Sequence, residues 1–246
     1  MPTIRVGAVL LLFATSCALL SLAHGAPLSL FATIRASPDN FEDSVGVITV
    51  EWKVILPKKE PYFIGAYLAS ENPLNTAPIK FQNVSPQGGF LRFKLVSLRE
   101  DFVFLLCRGP VDAPIVVARS NTVAVNPKRP TSGRLALTGV AGEMLVSWTA
   151  AAGLDGQQVQ YGASALALIQ AAPAGEGVSY ARGDLCGGYA ASAGFRNPGT
   201  FYSARLKGLV HSQRVFYRYG SDAGGYSPTA SFVVPPAPAP ALSLAS

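Results

Sequence analysis

Histidine is nearly missing from this sequence. The 246 residues hold two, His24 and His211. Cysteine is sparse as well, at Cys17, Cys107 and Cys186. With so few soft and imidazole ligands, a histidine-rich or cysteine-rich metal cluster is excluded. Runs of like charge are also lacking. Lys58-Lys59 and Lys128-Arg129 are pairs, read as solvated surface, and no nucleic-acid footprint is expected. There is no Gly-x-x-x-x-Gly-Lys loop. The glycine groups "GEG" and "CGGYAASAG" lack the lysine or the strand-to-helix setting needed to cradle a phosphate. No nucleophile-elbow motif accompanies His211, so nothing supports it as the base of a serine or cysteine site. Beyond residue 25 no stretch is apolar for long enough to span a membrane.

What is present begins with "MPTIRVGAVLLLFATSCALLSLAHGAP". Arg5 precedes an apolar run from Val6 to Leu22, and Ala23 and Gly25 stand at the −3 and −1 positions of a cleavage site. The stretch reads as a signal peptide over 1–25, which predicts a secreted protein. A single transmembrane helix is the competing reading, but the run is short and no basic stop-transfer cluster follows. Cleavage would lower the net charge from +6 to +5 by removing Arg5, and would also remove Cys17. Cys107 and Cys186 then remain, in different predicted domains, so free thiols are as well supported as a bridge. Asn83-Val84-Ser85 is an N-glycosylation sequon.

Period-two alternation dominates the rest. In "VGVITVEWKVIL" Ile48, Val50, Trp52 and Val54 share one face, while Val47, Thr49, Glu51 and Lys53 share the other. About a hundred residues later "GEMLVSWTA" repeats the pattern with Met144, Val146 and Trp148. A Trp-bearing strand recurring at domain spacing predicts an all-β protein of two consecutive immunoglobulin-like or fibronectin type III-like sandwiches. The expected divisions are 28–126, 130–235 and a Pro/Ala-rich tail or linker over 236–246. "NPKRPTSG" (Asn126 to Gly133) is the expected junction. "SALALIQAA" (Ser164 to Ala172) reads as a loop or single turn. His211 falls in a predicted exposed turn, and Tyr217 and Tyr219 alternate along a strand as core residues.

"YARGDLCGG" (Tyr180 to Gly188) admits several readings. It contains Arg-Gly-Asp, a receptor-binding tripeptide when displayed on a loop tip, and Gly-Asp-Leu, which resembles the start of a metallophosphatase metal block. The surrounding residues favour another. "RLALTGVAGEMLVSWTA", "VQYG", "YARGDLCGGYAASAGFRNPGTFYSARLKGL" and "VFYRYGSDAGGYSPTASFVVPP" follow one another as in the N-terminal domain of plant-type purple acid phosphatases. The first half, through "APIKFQNVS", "SLREDFVFLL" and "VARSNTVAVNPKRP", resembles the extra sandwich of the large forms. In the resemblance, Trp148, Arg182, Asp184, Cys186, Gly187, Pro198 and Gly199 are structural motif residues, and Gly183 is a filler. Where the family carries a tyrosine at the start of the penultimate strand, this chain has Val215.

The resemblance implies a family chemistry of phosphate monoester hydrolysis at a dinuclear centre of iron with zinc, manganese or a second iron. The blocks that supply those ligands, Gly-Asn-His and His-x-His among them, are absent from this sequence. Asp112, Asp155, Asp184 and Asp222 are scattered over separate predicted loops. The sequence therefore predicts no catalytic residue, no metal ligand and no cofactor in this chain. The expectation is the non-catalytic sandwich region of a secreted purple acid phosphatase-like protein, inactive alone. Its partner would be a catalytic metallophosphatase domain or a second copy through "DLCGGYAASAGFRNPG". Two further readings are a fragment of an active phosphatase and an adhesion or carbohydrate-binding module.

Overall fold

The computed structural model describes residues 32–192 and 194–236. The expected signal peptide and all of the tail except Pro236 lie outside the described residues. The first half contributes β1 (Ala32–Ser37), β2 (Asn40–Phe41), β3 (Val45–Val54), β4 (Tyr62–Leu68), β5 (Lys80–Val84), β6 (Gly88–Val96), β7 (Phe102–Arg108), β8 (Ile115–Arg119) and β9 (Ala124–Val125). The second contributes β10 (Thr131–Leu137), β11 (Met144–Ala150), β12 (Gln158–Gly162), β13 (Gln170–Pro173), β14 (Thr200–Leu206), β15 (Arg214–Ser221), β16 (Gly225–Tyr226) and β17 (Ala230–Val233). One 3-10 turn, Arg182–Asp184, is the only helical element among the described residues. The chain is all-β, as its alternation predicts.

The two halves share one topology. In the first, a β1-β3-β6 sheet faces a β5-β4-β7-β8 sheet. In the second, β10-β11-β14 faces a sheet in which β13-β12-β15 continues to β17. Each half thus puts its first, second and fifth principal strands in one sheet and the remainder in the other, the arrangement of a fibronectin-like sandwich. Trp52 and Trp148 occupy the second principal strand of their halves, and both are buried. Each indole finds an acceptor for its N–H, as a buried ring needs. Trp52 Nε1 donates to the Ser85 carbonyl at 3.0 Å and Trp148 Nε1 to Gln157 Oε1 at 2.9 Å.

The two main cores share no residue. One gathers Ile34, Ile48, Val50, Trp52, Phe93, Phe104 and Leu106, among others; the other gathers Met144, Val146, Trp148, Val159, Leu206 and Tyr217. Burying a side chain of this size stabilises by roughly 1.5–3 kcal/mol, so each half has its own driving force. The first sandwich also has a small third cluster, because β4 is buried along its whole length. Phe63, Tyr67, Val103, Leu105 and Cys107 project from the outer face of its sheet and are packed by Ala69, Val111 and Val116.

Three details differ from the sequence reading. Gln170–Pro173, which begins inside the stretch read as a loop or single turn, is strand β13, paired along β12 from Gln158↔Pro173 to Tyr161↔Gln170. Backbone pairing at a sheet edge has overridden a weak local pattern. The junction is shorter than Asn126 to Gly133, since β10 begins at Thr131 and its register shifts between Thr131 and Arg134. At that irregularity the Gly133 N–H donates to Tyr219 Oη at 3.1 Å, and a Cβ on Gly133 would collide with the Tyr219 ring. The start of β15 thus carries Val215 where the resembled family has a tyrosine, and the tyrosine hydroxyl that holds β10 is that of Tyr219. Val215 itself is buried.

Candidate functional site

The most distinctive segment, Tyr180 to Gly199, joins β13 to β14 and is held largely by its own polar groups. The Ala181 N–H donates to Asp184 Oδ2 at 2.7 Å, closing the 3-10 turn. Arg182 Nη1 donates to the Ser192 carbonyl at 2.6 Å, and its guanidinium lies 5.2 Å from the Phe195 ring centroid. Both charged groups of Arg-Gly-Asp are therefore engaged inside the segment. A side chain added to Gly183 would meet open space, which suits its reading as a filler. Gly187 and Gly188 turn the chain with φ of 94° and 63°, conformations that favour glycine. Cys186 is exposed and free, and Cys107 is buried and free.

The end of this segment reaches the first sandwich. Arg196 Nη2 lies 2.6 Å from Glu71 Oε1, and Glu71 Oε2 also accepts the Leu68 N–H at 3.2 Å. Gly199 is buried with φ of 77°. It is fixed by Asn197 Oδ1, which accepts its N–H at 2.9 Å, and by Ser179 Oγ, which donates to its carbonyl at 2.6 Å. A Cβ there would collide with the Ala150 carbonyl and stand 3.0 Å from the Arg99 guanidinium. Pro198, half-buried, precedes it in this turn. Arg99, itself at φ 61°, reaches Thr131 Oγ1 from Nη1 at 3.4 Å. Its Nε and Nη2 are closed off from solvent without a partner among the described residues, and burial pulls its pKa below the ordinary guanidinium value. Across the same junction the Ser132 N–H donates to Ser44 Oγ at 3.0 Å, and Arg129 lies 3.7 Å from Glu42. The segment is thus a clasp between sandwiches, a contact with the first sandwich that the sequence reading did not anticipate. Glu71, Arg99 and Arg196 went unnoticed in the sequence because each is an isolated charge whose partner is remote in the chain.

The other candidates do not converge. Trp148 stands at the centre of the second core, 6.0 Å from Tyr202 and 5.8 Å from Tyr219 between ring centroids. His211 is half-buried rather than exposed, with Nδ1 2.9 Å from the Pro235 carbonyl, in a groove of about 290 Å³ shared with Glu143 and Pro236. Asp112 and Asp155 are exposed on separate loops, and Asp222 Oδ1 accepts from Tyr226 Oη at 3.1 Å. Other carboxylates serve as structural partners. Glu60 pairs with Arg108 at 2.7 Å, Glu143 with Arg205 at 3.7 Å, and Asp101 Oδ1 accepts the Val125 N–H at 2.8 Å. Among the described residues no three of the His, Cys, Asp and Glu side chains stand together as a metal site. They do not fit a dinuclear centre. Asn83 is exposed on the edge strand β5.

The family model described as the purple acid phosphatase N-terminal domain matches residues 130–234. "Probable inactive purple acid phosphatase 1" of Arabidopsis thaliana is 36% identical over 158 residues, covering 60% of this chain and 25% of that protein. "Probable inactive purple acid phosphatase 9" of the same plant is 27% identical over 228 residues, covering 82% of this chain and 34% of that protein. Among solved structures, a purple acid phosphatase from yellow lupin (Lupinus luteus) seeds matches with a TM-score of 0.65 and 28% identity, over 84% of this chain and 42% of the lupin chain. The chain spans about a quarter to a third of the length of these curated relatives.

Proposed function

With a second sandwich that matches the purple acid phosphatase N-terminal domain, this chain is, we propose, the non-catalytic sandwich region of a secreted purple acid phosphatase-like protein. The lupin match carries the reading, because it extends over both sandwiches and takes in less than half of the lupin chain. The engagement of Glu60, Glu71, Asp101, Glu143 and Asp184 in ion pairs and backbone caps supports it, since those carboxylates already have partners. The region's role is then structural. It presents two sandwiches in a fixed relation, with a catalytic metallophosphatase domain as the natural partner in a longer protein.

The test is enzymatic. The chain without residues 1–25, supplied with iron, zinc or manganese, should leave p-nitrophenyl phosphate unhydrolysed above background. A two-metal phosphatase holds its ions roughly 3.5–4 Å apart through several convergent ligands. Two bound ions per chain, with turnover abolished by a chelator, would overturn the reading. Export and glycosylation belong to the same proposal. Expression in secreting eukaryotic cells should yield a product beginning at Ala26 and carrying glycan on Asn83, seen as a mass loss on glycosidase treatment. An intracellular product retaining residues 1–25 would refute export.

A further inference from the structure

Alternation along the β1-β3-β6 sheet sends one set of side chains to its outer face, and that set is strongly basic. In register, the outward positions run Thr33/Lys53/Gly88, Arg35/Glu51/Phe90 and Ser37/Thr49/Arg92, followed by Val47/Lys94. Arg35, Lys53, Arg92 and Lys94 are all exposed, and Glu51 is the one carboxylate among these positions. Lys80 of the neighbouring β5 adds a fifth cation at the margin, where its Nζ donates to the Lys94 carbonyl at 3.3 Å. The ion pairs of the described residues involve Arg108, Arg129, Arg196 and Arg205, and none of the five cations on this face. Phe90 is the large apolar side chain that projects furthest here, 73% exposed, beside Glu51 and two positions along from Arg92. The charges that look scattered along the sequence are therefore gathered on one sheet face, at strand spacings of about 5 Å and along-strand spacings of about 7 Å.

We propose that this face is a docking surface for an acidic polysaccharide, with carboxylates of the sugar chain pairing with Arg35, Lys53, Arg92 and Lys94 and a sugar ring resting on Phe90. Charge complementarity selects the partner's sign. Arginine forks suit carboxylates in particular. A duplex nucleic acid is a poorer fit, since a three-stranded sheet face is broader than the two-stranded ribbon a major groove admits. A single strand is also poorer, because one exposed aromatic offers no platform for successive bases. A membrane would call for a larger apolar area than one phenylalanine and a few valines. The choice of a polysaccharide rests on the export proposed above, which would put the face among acidic glycans. Phe81 and Asn83 alternate with Lys80 and Gln82 on β5. Phe81 packs against Phe63 on the outer face of the other sheet, so a glycan on Asn83 would leave the basic face clear.

The experiment uses the purified chain lacking residues 1–25 with polygalacturonate as the probe, so it does not depend on whether cells export the protein. Binding should be measurable at low salt and should weaken as salt rises. The double substitution Arg92→Glu and Lys94→Glu should reduce affinity about tenfold or more. Lys58→Glu with Lys59→Glu, an equal charge change on the β3–β4 loop, should reduce it by less than about threefold. Phe90→Ala should weaken binding while leaving the salt dependence unchanged. Thermal melting of all variants checks that these exposed substitutions leave the fold intact. Absence of binding, equal loss in both charge variants, no effect of Phe90→Ala, equal binding to neutral dextran, or tighter binding to DNA or to phosphatidylserine vesicles would each overturn the proposal.

Discussion

Gly199 and Cys107 show how much a single side chain decides here. At Gly199 both φ and space exclude a Cβ: the backbone is left-handed, and the Ala150 carbonyl and Arg99 guanidinium fill the site. Gly199→Ala should therefore destabilise by about 1–3 kcal/mol, read as a lower urea midpoint. Gly183→Ala, in open space, is the matched control with little effect. Cys107 is governed by burial, which pushes its thiol from the ordinary 9.0 up to about 12. Tyr67 beside it is likewise pushed up to about 12, by burial and then by Cys107 and Glu71. Both groups are held protonated in the folded state, and unfolding lets them ionise earlier. Their contribution is complete below pH 9.0 and is lost as pH rises from there toward about 12. Urea unfolding across that range should show stability falling with pH, and Cys107→Ala should flatten the fall. An alkylating reagent should label exposed Cys186 in the native protein and Cys107 only after unfolding.

At the scale of elements, the segment from Tyr180 to Gly199 depends on a contact far away in sequence. Its internal bonds, Asp184 to the Ala181 N–H and Arg182 to the Ser192 carbonyl, shape the turn. Arg196 then anchors it to Glu71, whose side chain is only 16% exposed. Removing either partner leaves the other charge in a partly closed site, a costlier situation than breaking a solvated surface pair. Arg196→Ala should speed hydrogen exchange over Tyr189 to Gly199 and leave β11 unchanged. A double-mutant cycle with Glu71→Ala should return a coupling of about 0.5–3 kcal/mol. A coupling near zero would mean that Asn197, Ser179 and Gly199 hold the segment without the ion pair.

For the whole molecule the question is whether two sandwiches behave as one. Their cores share no residue, whereas the junction is polar and built from Arg196–Glu71, Arg99–Thr131, Ser132–Ser44 and Arg129–Glu42. Trp148→Ala removes the anchor of the second core and leaves Gln157 Oε1 without its donor, at a cost of about 3–5 kcal/mol. Calorimetry should then show the second sandwich melting early while the first, built on Trp52, keeps its transition. Adding Arg196→Ala should separate the two transitions further. A single transition that moves as a unit in the Trp148→Ala variant would show that the junction couples the sandwiches as strongly as either core.

Sequence alone determined what depends on neighbours in the chain. Alternation around Trp52 and Trp148 specified two buried strand faces, because successive strand residues must point to opposite sides of a sheet. Recurrence at domain spacing specified two sandwiches, and the scarcity of histidine left no imidazole set for a metal centre. It also placed Lys53 on the face of its own strand opposite Trp52. Tertiary structure alone decided what pairs across the chain. Gln170–Pro173 is a strand because β12 offers an open edge, and Tyr219 Oη holds the Gly133 N–H because β10 approaches it from another sheet. Arg99, Glu71 and Arg196 meet only because the sandwiches do. The basic face of β1, β3 and β6 exists only in the register that sets Arg35, Glu51 and Phe90 side by side, and pairing register is a property of the assembled sheet, beyond the reach of any one strand's own residues.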